Sequence, residues 1–281
     1  MERKRIKILG SPVDRIDQKE ALENIRLFLS AEKGRHVVTL NPEMIVRARS
    51  DRDFSGIING ADLVVADGMG VLRAASYLAR RTGDPFVDVR HLLAVAIGGT
   101  LFPQRIKDVL PEKVSGVDLI RMICESDFAV GKKIYLLGAG EGIAEKAGAV
   151  LKGRYPDVGI VGAEEGFRGE IGPEENGAIL DRINSKSPDM IFVALGAPKQ
   201  EKWIHENLEK MPSVRLAMGV GGSFDAISGK TRRAPEVFQV HGMEWLWRFA
   251  LQPRRAGRIY NAALKFSWLI FRDKEDKITN K

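Results

Sequence analysis

Short apolar runs recur along the chain, each followed by glycine or a polar residue and then by a stretch with helical spacing. The runs fall at Ile6–Leu9, His36–Leu40, Leu63–Ala66, Ile134–Leu137, Val158–Val161, Met190–Leu195 and Leu216–Val220. They are near-continuous rather than strictly alternating, which is the pattern of strands covered on both faces. Helical stretches between them make the connections long enough for parallel crossovers. The expected fold is α/β: a Rossmann-like, mostly parallel sheet with helices on both faces.

Helix ends are legible in several places. Asp17 to Glu20 has the form of a capping box, with Gly34 as the expected C-cap of the helix that follows. Asn41-Pro42-Glu43 reads as an N-cap followed by proline at the first helical position, and Pro198 reads as the start of another helix. Two regions break the rhythm. Segment 82–111 contains HLLAVAIGGTLFP, too short to span a bilayer and interrupted by glycines, and reads as an insertion rather than a helix. From Arg233 onward the strands stop. The chain therefore divides into an α/β unit over 1–232 and a basic, aromatic helical arm over 233–281.

In an open parallel sheet, ligands bind beyond the carboxyl ends of the strands. The residues just after each run are Thr39 and Asn41, Asp67, Gly138 and Gly140, Gly196 through Gln200 and Glu201, then Gly221, Gly222 and Asp225. Glycines with a few polar side chains suit a phosphate-bearing ligand approached by backbone. Asp67 precedes a helix, so it reads first as an N-cap. Beside Thr39 and Asn41 it is also a candidate general base.

Composition narrows the setting. In 281 residues there is one cysteine, Cys124, set among apolar neighbours, so an internal disulfide is excluded and a core role is expected. The N-terminus is basic but has no apolar stretch behind it, which points to the cytosol. The net charge of +7 is unevenly placed: from Trp245 to Arg272 there are arginines and lysine, three of the four tryptophans and no acid. Such a run suits an anionic membrane surface. No nucleic-acid partner is expected, and self-association is left open.

Other motifs yield less. LLGAGEG supplies Gly138 and Gly140 but has Ile143 where a dinucleotide fingerprint needs its third glycine. A phosphate-cradling turn fits that stretch better than an NAD site, and an NAD-dependent oxidoreductase remains the alternative of another class. Asp51-Arg52-Asp53 has the form of a metal-holding Asp-X-Asp, yet it sits within a helical stretch and reads as a solvated helix start. The four histidines have no zinc-ligand spacing. Neither metal nor cofactor is expected.

Taken together, VVTLNPE, VVADGMGV, KVSGVDL, YLLGAG, VALGAPKQE, GVGGSFDAISG, RRAPE and MEWLWRFALQPRRAGR resemble the WecG/TagA/CpsF glycosyltransferases. The resemblance covers nearly the whole chain except 82–111 and the extreme termini. It implies an inverting, metal-independent enzyme on the inner membrane face, moving a sugar from a UDP donor to an undecaprenyl-diphosphate-linked acceptor in surface-polysaccharide or teichoic acid synthesis. TagA-like members would use N-acetylmannosamine and GlcNAc; other members use UDP-N-acetylmannosaminuronic acid or UDP-glucose. The resemblance places the base on Asp67, supported by Thr39 and Asn41. Donor recognition falls on Gln200, and the arm's arginines on Arg248, Arg255 and Arg258. It puts Lys113 where the family commonly has arginine, so the planar, two-pronged grip on an anion is lost there.

Overall fold

The computed structural model describes residues 4–167, 169–251, 257 and 264–273. The chain opens with a hairpin of β1 (Arg5–Ile8) and β2 (Ser11–Asp14), followed by α1 (Gln18–Leu29), β3 (Arg35–Leu40), α2 (Pro42–Ala48), α3 (Arg52–Gly60) and β4 (Leu63–Ala66). Then come α4 (Met69–Arg80), α5 (Pro85–Leu101), α6 (Gly116–Glu125), β5 (Lys133–Gly138), α7 (Ile143–Arg154) and β6 (Gly159–Glu164). The remaining elements are α8 (Pro173–Lys186), β7 (Met190–Ala194), α9 (Lys199–Asn207), β8 (Leu216–Gly219) and α10 (Ser223–Ile227), then α11 (Glu236–Val240), α12 (Glu244–Leu251) and α13 (Phe266–Arg272).

Six strands form one sheet in the order β4-β3-β8-β7-β5-β6, with every pairing parallel. Successive side chains feed opposite faces. Met190 and Phe192 of β7 join one core with Leu216 and Met218 of β8, while Ile191 and Val193 join another behind the sheet. Val38 and Leu40 of β3 pack into a third, on the side of α2, α3 and α4. Both faces are covered, which is why the sequence shows continuous apolar runs.

The expected strand at Ile6–Leu9 exists, but it lies outside the main sheet. It pairs antiparallel with β2, a partner hidden in the sequence by its proline and its length of four residues. Leu9 and Gly10 both take positive φ to close the turn. The hairpin caps the β4 edge through Asp14, whose fully buried carboxylate accepts the Val64 N–H at 2.7 Å and an Arg5 guanidinium hydrogen bond at 2.8 Å. An open strand edge is thereby covered.

Most caps fall where expected. Asp17 and Glu20 form a reciprocal capping box, and Asn41 accepts the Met44 N–H at 3.0 Å with Pro42 leading the helix. Gly34 is not a C-cap: α1 ends at Leu29 and Ser30 closes it in a right-handed conformation. Gly34 serves packing instead, because a Cβ there would lie 2.7 Å from Leu208 and 2.9 Å from the Val214 carbonyl. Pro198 stands one residue ahead of α9, after a cis peptide bond. Segment 82–111 contains a 17-residue helix, contrary to expectation. Asp84 caps it by accepting from Phe86 and Val87, Pro85 occupies its first position, and Gly99 gives Ile106 room to pack. Cys124 is buried in the core, as expected.

Gly138 ends β5 at φ +122, and a Cβ there would meet the Ala194 backbone at 2.7–2.9 Å. Gly138→Ala is therefore expected to cost about 2–3 kcal/mol, from strain at positive φ and displacement of the β7 end. Denaturant unfolding reads this directly; a cost below about 0.5 kcal/mol would show that the turn can relax.

Candidate active site

The carboxyl ends of the strands open into a cavity of about 830 Å³, a volume suited to a cofactor-sized ligand. Its walls include Thr39 and Asn41 from β3, Asp67 after β4, Gly196 and Gln200 after β7, and Gly221, Gly222 and Asp225 after β8. The sheet thus brings together the sequence-selected residues of four strand ends. Parallel register explains the closest juxtaposition. Leu40 pairs with Ala66, and the Asp67 N–H donates to the Leu40 carbonyl at 2.8 Å, so Asn41 and Asp67 leave their strands side by side.

Asp67 stands one residue ahead of the N-cap position of α4, which Gly68 holds at φ +108. Asn41 is divided: its carbonyl oxygen caps α2, which leaves the amide NH2 outside that bond. Thr39 is engaged with protein, donating its hydroxyl to the Gly219 carbonyl at 3.0 Å in a buried tie between β3 and β8.

Gln200 is 2 % exposed although it reaches the cavity wall. Its Oε1 accepts the Gly196 N–H at 3.1 Å and the Gly221 N–H at 3.0 Å, joining the loops after β7 and β8. Its Nε2 donates to Glu201 Oε1 at 2.7 Å. Glu201 is fully buried behind it, away from the cavity lining, and its Oε2 has no hydrogen-bond partner among the described residues. Gly219 makes space for the pair, since a Cβ there would stand 2.5 Å from Gln200 Nε2. Burial pushes the Glu201 carboxyl up to about 7, partly offset by the Gln200 hydrogen bond.

Other selected residues sit at the margins. Gly138 and Gly140 lie behind Ala139, which alone of that turn reaches the cavity. Glu164 ends β6 where a dinucleotide fold would carry an acid for the ribose, and it accepts from the Tyr135 hydroxyl at 2.9 Å and from Arg182 at 2.8 Å. Asp51 caps α3 through Phe54 and accepts from Lys202 at 2.9 Å, so it is a helix start as expected. Among the described residues no cluster of three metal-ligating side chains forms. Lys113 stands beside the β4 end, where Val114 N–H donates to the Ala66 carbonyl, and its ammonium donates to Glu244 at the start of α12. Arg255 and Arg258 lie outside the described residues, as does the side chain of Arg248.

Several wall residues escaped the sequence reading. Arg73 reaches the cavity from α4 and donates to Thr100 Oγ1 at 2.7 Å and the His241 carbonyl at 2.9 Å, tying α4 to α5 and α11. Burial lowers its pKa, and its Nε has no partner among the described residues. Arg232 and Arg233 also line the cavity. Arg233 pairs with Asp118 at 2.6 Å; burial pushes that carboxyl up, but Ser115 and Arg233 outweigh it and hold the group below its usual range. RRAPE carried the signal for these two arginines, whereas Arg73 sits in a helix whose only visible pattern is apolar.

Glu201 holds its proton better folded than unfolded. Its contribution to stability is complete below its ordinary 4.5 and lost as pH rises through about 7. His36, which burial pushes down to about 4, contributes stability above its ordinary 6.5 that is lost as pH falls through about 4. The two oppose each other between those ordinary values. Glu201→Gln removes only the first, so the variant's stability should fall more steeply on acidification through this window than the wild type's. At pH 8 it should exceed the wild type's by about 3 kcal/mol. Urea unfolding across pH measures both; a variant no more stable than wild type at pH 8 would mean the buried carboxyl is not destabilising.

The chain matches the model of the Glycosyl transferase WecG/TagA/CpsF family over residues 6–96 and 91–279. It is 29% identical over 257 residues to a protein of Staphylococcus aureus strain MRSA252, covering 91% of this chain and 88% of that protein. The relative is named N-acetylglucosaminyldiphosphoundecaprenol N-acetyl-beta-D-mannosaminyltransferase. The protein of that name from strain NCTC 8325 / PS 47 matches with the same identity and coverage. With a family match running through the sheet, the cavity-lining loops and the C-terminal helices, the chain belongs to the WecG/TagA/CpsF family of glycosyltransferases.

Proposed function

We propose that this glycosyltransferase moves N-acetylmannosamine from a UDP donor onto GlcNAc linked through diphosphate to undecaprenol, with inversion and without a metal ion. The acceptor and the transferred sugar are those in the names of its relatives. One observation carries the mechanism: Asp67 lines the cavity directly beyond the carboxyl end of β4, beside Asn41. A carboxylate so placed takes the proton of the acceptor hydroxyl as that oxygen attacks the anomeric carbon and the bond to the UDP β-phosphate oxygen breaks.

The departing diphosphate needs positive potential. In this reading it comes from Arg73 and Arg232 in the cavity wall, from the first backbone N–H groups of α4, and from Arg248, Arg255 and Arg258 of the arm. Asp225 contributes little net charge, because Lys230 lies 3.6 Å away. Gln200 acts as a positioning residue here: its amide is spent on the two loops that shape the floor. A unit over 1–232 completed by an arm over 233–281 is supported by the arm's own contacts. Glu244 meets Lys113, and Trp245 and Trp247 line the cavity. The lipid-linked acceptor would place the enzyme on the inner face of the membrane; among the described residues, no helix is long and apolar enough to cross one.

The test is transfer from UDP-N-acetylmannosamine to a short-chain, water-soluble lipid-diphosphate-GlcNAc. Wild type should transfer equally well in chelator. Asp67→Asn should lower turnover by ~10²–10⁴-fold while UDP affinity stays within a few-fold. Near-normal turnover in the variant removes Asp67 as the base, and activity lost in chelator but restored by Mn²⁺ overturns the metal-free mechanism.

A further inference from the structure

Helix α5 is apolar on nearly every side, yet one of its faces lies at the surface. Its acid, Asp88, is buried and accepts hydrogen bonds from Thr82 and Gly83, while large apolar side chains face out. Phe86 is 85 % exposed, Leu93 54 %, Ile97 60 % and Leu101 60 %, and at 100° per residue these four share one face with Val89. Phe102 continues the patch at 53 %. Elsewhere among the described residues, large exposed apolar side chains gather on α11, α12 and the region of α13, which packs against α5; only Leu27, Val130 and Val150 lie apart. Such a patch on a folded domain marks a surface for a partner.

Charge selects the partner. The exposed face of α5 carries one ionic group, Arg90, and no acid; the helix's other acid, Asp84, is spent as the N-cap. Arg105 stacks over Phe102 at 4.7 Å at the end of α5, and Arg272 over Trp268 at 5.4 Å on the neighbouring α13, so cations border exposed rings on both helices. An apolar face with cations and aromatic rings at its border suits the headgroup boundary of an anionic bilayer. At 17 residues the helix is about 26 Å long and would lie along the surface. Its opposite side, with Leu92 and Val95, is cavity wall. A single helix therefore separates the site from whatever its outer face touches.

We propose that α5 is a membrane-docking helix, lying flat in an anionic bilayer surface with Phe86, Leu93, Ile97 and Leu101 in the acyl boundary, which holds the cavity mouth at headgroup level. This deepens the proposed function and rests on it only for the purpose served, entry of a diphosphate whose lipid tail stays in the bilayer. It adds a second docking element to the C-terminal arm.

The experiment uses the full chain and vesicles of phosphatidylethanolamine and phosphatidylglycerol containing no acceptor, so its result is independent of catalysis. Leu93→Glu with Ile97→Glu should lower co-sedimentation by about tenfold or more, while transfer to a short-chain soluble acceptor is retained. A second variant, Leu93→Cys carrying an environment-sensitive fluorophore, should shift to the blue on vesicle addition and be quenched by brominated lipid. Undiminished co-sedimentation of the double variant, or a label at position 93 that stays in water, overturns the proposal. So does a sedimentation-velocity result in which wild type is a dimer, the double variant a monomer and vesicle binding unaltered, since the face would then join two copies of the chain.

Discussion

One amide oxygen governs the floor of the site. Oε1 of Gln200 receives the N–H groups of both Gly196 and Gly221, the turning points after β7 and β8. Left without that acceptor in a buried setting, each N–H would cost about 1–3 kcal/mol. The constraint spreads outward. Gln200 is oriented by Glu201, the pair fits only because residue 219 is glycine, and the Gly219 carbonyl in turn receives the Thr39 hydroxyl. Three strand ends are thereby locked together, and the cavity inherits their spacing.

Glu201 is the cost of that arrangement. A glutamate with one oxygen unpartnered and no exposure is held near neutrality by burial alone, and it destabilises the fold wherever it is ionised. The protein tolerates it because the carboxyl fixes which way the Gln200 amide faces: with Glu201 Oε1 accepting from Nε2, Oε1 of Gln200 is left for the loops. A hydrophobic residue at 201 would remove the penalty along with this discrimination.

How much of this was legible in the sequence follows from the range of the signals. The parallel strands were readable because each is buried on both faces, and the caps at Asp17 and Asn41 because they are local. The strand at β2 was hidden by a proline and by having only four residues. Helix α5 was misread because its apolar positions face outward, and Gly99 is there to admit Ile106 rather than to break the helix. Within the site, proximity of Asp67, Asn41 and Gln200 was predictable from the rule that ligands sit beyond strand ends. What Gln200 and Thr39 touch was not, because those bonds join strands remote in sequence. The same limit hid Arg73, whose partners lie on α5 and after α11.

The central claim is that Gln200 shapes the site through the protein's own backbone before any ligand arrives. Residue-resolved amide exchange at Gly196 and Gly221, with and without UDP, tests it most directly. The account predicts slow exchange at both amides in the free protein, little further protection from UDP, and loss of protection in Gln200→Leu. Fast exchange at both in the free wild-type protein, slowed only when UDP is added, would contradict it and assign those two N–H groups to the nucleotide.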